Sequence, residues 1–211
     1  MTKLVFNVLV VISLLPELCG GVRPFCPDGY LDKKTIDEYI LKTVNARRQA
    51  LTGGKQRNGE TGTNLPAAKD MTKVRWSCEL EQIAIAALGT TCVSQRRVNP
   101  KGLADFFHHE SNIDGNYSPQ KTLRNVLKAY LVQIDSFYLD VPSGATEVNY
   151  NGDEQLETYA NLVRSANKEI GCAINGCSGT RKDSKVGEGT AMYCVLNSRN
   201  IRKGETIYES A

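Results

Sequence analysis

The sequence predicts an α+β fold, with helices packed on a small antiparallel sheet. Three observations carry this. Apolar residues recur at helical spacing through the first three quarters of the chain. Two strand-like runs come late, at residues 169–174 and 190–196, joined by a loop rich in Gly, Ser and Lys. Beyond residue 21 the cysteines number six, an even set that reads as three disulfides with 15 possible connectivities.

The elements follow in order. Residues 1–21 read as a cleavable secretory signal. Met1 to Lys3 is a short basic start, Leu4 to Leu15 is an apolar run broken only by Asn7 and Ser13, and Cys19-Gly20-Gly21 supplies small residues at the exit. The apolar run is too short to cross a bilayer, which takes about 20 residues, and no later run approaches that length. The expectation is a secreted, extracellular chain cleaved after Gly21, with a single domain over residues 22–211 and no membrane span.

Residues 32–51 read as a helix, with Ile36, Tyr39, Ile40 and Val44 on one face and Gly53-Gly54 stopping it. Residues 52–65 form a polar, Gly-rich loop. A second helix covers 79–88, with Leu80, Ile83, Ala84 and Ala87 inward. A third covers 119–134, begun by Ser118-Pro119, a good cap followed by proline at the first helical position. A fourth covers 154–166. A strand near Val74-Arg75-Trp76 is expected to join the late hairpin.

Chemistry is sparse. The net charge of +3 is too mild to point to nucleic acid. Cys172 and Cys177 have a spacing that suits a zinc pair, but export and the lack of a nearby histidine favour disulfides. The two histidines, His108 and His109, precede Glu110 and read as surface polar residues rather than a weak metal site. No nucleophile elbow and no triad pattern is present. Asn116-Tyr117-Ser118 is a glycosylation sequon in a polar stretch. Phe106, Phe107, Phe137, Tyr138 and Leu139 are candidates for lining an apolar groove, although a core role is the simpler reading.

Several stretches, taken together, resemble the CAP superfamily (cysteine-rich secretory proteins, antigen 5, pathogenesis-related proteins), and within it the nematode activation-associated secreted, or venom allergen-like, branch. These are Cys26-Pro27-Asp28-Gly29, Val44-Asn45-Ala46-Arg47-Arg48, Leu65-Pro66-Ala67-Ala68-Lys69-Asp70-Met71 through Trp76, Ile170-Gly171-Cys172, Met192-Tyr193-Cys194 and Ile207-Tyr208-Glu209. The first-helix motif His-Asn-x-x-Arg has Val44 in place of His. The resemblance implies an α–β–α sandwich. The family's pairing pattern implies Cys92–Cys177 and Cys172–Cys194, which leaves Cys26–Cys78.

Many relatives hold two His and two acids around a divalent metal. Carried over position by position, those slots become Arg96, Asp105, Gln133 and Thr158 here. Only Asp105 remains an anionic ligand, and an arginine repels a cation. The expectation is therefore no metal, no cofactor and no catalytic residue, with an Arg96–Asp105 ion pair as a conceivable structural tie in the metal's place. The resemblance further implies a parasite effector that binds a host protein or cell-surface receptor through loops such as 52–64 and 96–116. A carrier of sterol or fatty acid is the alternative.

Overall fold

Alternate residues of one fully buried strand feed two separate apolar layers, and this organises the molecule. The computed structural model describes residues 23–89, 95–96, 99, 101–111, 118–177 and 189–211. The expected signal segment, Cys92 and Asn116 lie outside the described residues.

The first helical run opens with α1 (Lys33–Thr35), capped by the Asp32 carboxylate, which accepts from the Thr35 amide at 3.0 Å. It continues as a π-helical segment, Ile36–Leu41, and then as α2 (Lys42–Thr52). Next come β1 (Arg75–Trp76) and α3 (Cys78–Leu88), the latter capped by the Ser77 hydroxyl. After β2 (Asp105–Glu110) comes α4 (Pro119–Leu131), capped by Ser118, with a 3₁₀ turn at Gln133–Asp135. Then follow β3 (Glu147–Asn149), a 3₁₀ turn at Glu154–Leu156, α5 (Glu157–Val163), β4 (Glu169–Cys177), β5 (Gly189–Leu196) and β6 (Thr206–Glu209).

The main sheet has the order β1-β4-β5-β2, and β3 with β6 forms a second, two-stranded sheet. The expected antiparallel sheet is thus mixed: β1 runs parallel to β4, with Trp76 opposite Ile170. The late hairpin is present as β4 and β5, from Ile170 opposite Leu196 to Cys177 opposite Gly189. Strand β2 falls within residues 96–116, where the sequence predicts a loop.

Successive side chains of a strand point to opposite faces. On β5, Met192, Cys194 and Leu196 enter the larger core with α2, α4 and α5, while Ala191, Tyr193 and Val195 enter a smaller one under α3. Both faces are covered, so β5 carries no polar alternation and is buried throughout. The result is helices on both sides of a sheet.

Helix α3 lies unusually close to β4. A Cβ placed on Gly171 would sit 2.1 Å from the Glu81 amide nitrogen and 2.3 Å from the Leu80 carbonyl carbon. Only glycine permits this approach. Among the described residues, two disulfides are in place. Cys172–Cys194 joins directly opposed residues of β4 and β5 inside the larger core. Cys26–Cys78 ties the N-terminal segment to the start of α3.

Two residues of the first-helix motif are structural clamps. Asn45 makes a two-way bond with the Val74 backbone, accepting from its N–H at 2.8 Å and donating to its carbonyl at 3.0 Å. Buried Arg48 donates to the carbonyls of Thr72, Leu162 and Arg164. Burial pushes its guanidinium pKa down to about 10. Arg48 takes up carbonyls at the end of α5, where Arg164 turns extended, and the helix stops at Val163 rather than 166. Val44, in the histidine slot, is fully buried in the core.

Candidate functional site

Asp105 stands at the first position of β2, opposite Val195. A side-chain-braced turn puts it there. Asn99 accepts from the Leu103 amide at 3.0 Å and donates to the Leu103 carbonyl at 2.8 Å. Gly102, in the left-handed region at φ 62°, closes the turn by donating to the Asn99 carbonyl.

Both carboxylate oxygens of Asp105 are engaged. Arg96 Nε donates to Oδ1 at 2.6 Å, and the terminal Nη2 of the same guanidinium pairs with it as well. Asn99 Nδ2 donates to Oδ2 at 2.5 Å. The Asp105 side chain is 3% exposed and that of Arg96 46% exposed. Burial, and next a hydrogen bond to Asp105, push the Tyr193 phenol up to about 12. Tyr130 donates from its hydroxyl to the Phe107 carbonyl at 3.2 Å, and burial raises its pKa while Arg96 opposes the shift.

The other two slots stand apart from this network. Gln133 opens the 3₁₀ turn after α4, and Thr158 lies in α5. Among the described residues, no hydrogen bond or ion pair joins either to Arg96 or Asp105. A single carboxylate, already held by a guanidinium and an amide, is a poor donor set for a divalent cation. Among the described residues, no group of three His, Cys, Asp or Glu is placed to hold one. His108 and His109 are successive residues of β2 and so face opposite sides of the sheet. His108 Nε2 lies 3.9 Å from a Glu110 oxygen.

The candidate groove residues do not gather in one groove. Phe106 is in the larger core, edge-on to Tyr130 with ring centroids 5.3 Å apart. Phe107 points the other way, packing against the smaller core and Tyr193. The period-2 alternation of β2 separates them. Leu139 is buried in the larger core, whereas Phe137 and Tyr138 are exposed.

A ligand-sized cavity lies elsewhere among the described residues. It is an open groove of about 1020 Å³ between the first helical run, residues 55–57 and α4, and none of the four slots lines it. Sequence reasoning missed this groove because its walls come from segments over 60 residues apart. It also missed Glu81, which is fully buried on α3. Glu81 accepts from the amides of Tyr30 (2.9 Å) and Leu31 (3.3 Å) and from Trp76 Nε1 (3.0 Å). No helix among the described residues is long and apolar enough to cross a membrane.

The sequence profile described as "CAP: Cysteine-rich secretory protein family" matches residues 41–197. Among solved structures, Na-ASP-1 is similar with a TM-score of 0.69 and 20% identity, over 90% of this chain and 42% of that one. This chain therefore spans less than half of Na-ASP-1. BmVAL-1 is similar with a TM-score of 0.68 and 19% identity, over 88% of this chain and 87% of that one. NaASP2, solved with Zn2+, gives 0.65 and 19%, over 88% and 90%. At these identities the likeness is one of fold. No curated protein matches the chain.

Proposed function

We propose, from the premise that this chain belongs to the cysteine-rich secretory protein (CAP) family, that it is an exported, non-enzymatic recognition protein of a parasitic nematode that binds a host protein or cell-surface receptor. The observation that carries this reading is the state of Asp105. The one acid left in the four slots is committed to Arg96 and Asn99, so that position is braced by protein side chains. We read it as holding no metal, although the relative NaASP2 was solved with Zn2+.

A position braced this way on a scaffold kept rigid by disulfides and two packed cores leaves function to the exposed surface. Export is supported by the cysteine pairs, which persist in oxidising compartments. The expected signal at 1–21, the bridge Cys92–Cys177 and glycosylation at Asn116 belong to this same proposal. A sterol or fatty-acid carrier is supported less, because Phe106 and Phe107 face different cores.

The test is binding of fluorescently labelled, disulfide-complete protein to a panel of mammalian blood and epithelial cells. Saturable binding, competed by unlabelled protein and abolished by trypsin treatment of the cells, is the expected result. No saturable binding to any cell type, together with stoichiometric uptake of a sterol, would replace this reading with the carrier.

A further inference from the structure

We infer that the groove between the first helical run and α4 is a binding site for a ligand carrying two or more sulfate or phosphate groups. Six cationic side chains line it: Lys42 and Arg47 from α2, Lys55 and Arg57 from the segment that follows, and Arg124 and Lys128 from α4. Two carboxylates, Glu38 and Asp135, face them. Asp135 is already paired with Arg47 at 3.2 Å. Among the described residues, Lys42, Lys55, Arg57, Arg124 and Lys128 make no ion pair, and neither does Glu38. The excess of positive charge on this one groove exceeds the +3 of the entire chain.

Two features distinguish the groove from an ordinary solvated basic surface. The first is that two of its three arginines, Arg47 and Arg124, are held in place. Arg47 is fixed by Asp135 and by the Gln56 side-chain oxygen at 2.6 Å. The Arg124 guanidinium lies 5.4 Å above the Tyr39 ring. A planar guanidinium held in this way presents paired donors that match a sulfate or phosphate at little entropic cost.

The second is an unmet donor. Arg124 Nε is buried and has no acceptor among the described residues. A buried unpaired donor is uncommon in folded proteins, and an oxyanion in the groove meets this one when the Arg124 side chain, which lines the groove, turns its guanidinium toward the ligand. Arg124 and Lys128 also stand four residues apart on one helix face, a repulsion that a bound anion relieves. The cations flank the groove from both sides, so a single point anion would satisfy few of them. The volume suits a ligand of short-oligosaccharide size. This inference stands independently of the receptor reading.

The experiment is isothermal titration of the disulfide-complete protein with two probes, a heparin-derived sulfated tetrasaccharide and tripolyphosphate. The variants are the groove pair Lys42→Glu/Lys128→Glu, the single change Arg124→Gln, and the control pair Lys69→Glu/Lys73→Glu. The control residues are exposed, lie outside the groove and carry the same change in net charge. At least one probe is expected to bind at one site. Its affinity should fall tenfold or more in the groove pair and in Arg124→Gln, and less than twofold in the control pair. Binding of the saccharide alone assigns a sulfated glycan, and binding of tripolyphosphate alone assigns a phosphorylated ligand. No saturable binding of either probe, or an equal loss in groove and control pairs, would overturn the inference.

Discussion

Removing the Asp105 carboxylate tests whether the network of Arg96, Asp105 and Asn99 is a structural brace. In Asp105→Ala, Arg96 loses its anion but is 46% exposed and turns to water. Its share is therefore that of a solvated ion pair, about 0–1 kcal/mol. The buried partners decide the outcome. Asn99 keeps its bond to the Leu103 carbonyl and loses one donor contact, while the Tyr193 phenol loses its carboxylate acceptor. Orphaning buried donors costs about 1–3 kcal/mol each. The total for Asp105→Ala is thus about 2–7 kcal/mol, against a smaller loss for Arg96→Ala, where the carboxylate keeps its two buried donors and water takes the place of the half-exposed guanidinium. Asp105→Asn retains one acceptor oxygen and should fall between them. The assay is guanidinium unfolding under non-reducing conditions, read as the midpoint at constant m. A loss below 1 kcal/mol in Asp105→Ala, or an equal loss in Arg96→Ala, would refute the assignment of the brace to buried hydrogen bonds.

Other predictions rest on separate parts of the fold. Gly171→Ala forces a Cβ into the α3 backbone, where no flexible side chain can yield, so it should cost about 3 kcal/mol or more, or prevent folding. Wild-type-like unfolding of that variant would contradict the close contact. Glu81→Ala leaves two backbone amides and an indole N–H without their acceptor and should cost about 3–5 kcal/mol, with Glu81→Gln milder. Increased amide exchange at Tyr30 and Leu31 should accompany the loss, and unchanged protection there would contradict it. Burial, and then nearby carboxylates, push the phenols of Tyr150 and Tyr193 up to about 12. An unfolded tyrosine ionises near 10. A raised folded-state pKa means this stability is whole below pH 10 and is lost as pH rises through about 12. Unfolding free energy measured from pH 8 to 12 should fall above pH 10, less steeply in Tyr193→Phe, and a flat profile would exclude the effect.

The helices were legible because amphipathic spacing and local caps are written in neighbouring residues. Ser118 marks the true start of α4, as expected, whereas Ser77 caps α3 at Cys78, one residue ahead of the expected start, and Ile36, Ile40 and Val44 are all buried as their spacing predicts. The late hairpin was legible as two apolar runs around a turn-rich loop. Strand β2 was not, since Asp105-Phe106-Phe107-His108-His109-Glu110 has no polar–apolar alternation. Its phenylalanines fill two different cores, and only the pairing with β5 makes it a strand. The parallel pairing of β1 was likewise invisible, because two residues carry no signal of strand direction.

At the candidate site, the resemblance supplied the four slots, and the geometry shows how Arg96 meets Asp105. The roles of Asn99 and Tyr193 depend on a turn and a facing strand that spacing alone does not encode. Glu81 was passed over because a glutamate in the first turn of an α-helix usually reads as a solvated favourable charge. Here it is covered by the N-terminal segment and Trp76.

The central claim is that Asp105, the one acid in the four carried-over slots, is committed to Arg96 and Asn99 and holds no metal. Zinc titration of refolded, disulfide-complete protein, with metal content measured after dialysis, tests it most directly. The account predicts no retained metal and no saturable zinc binding at tens of micromolar. One zinc per chain, with affinity lost in Asp105→Ala, would contradict it.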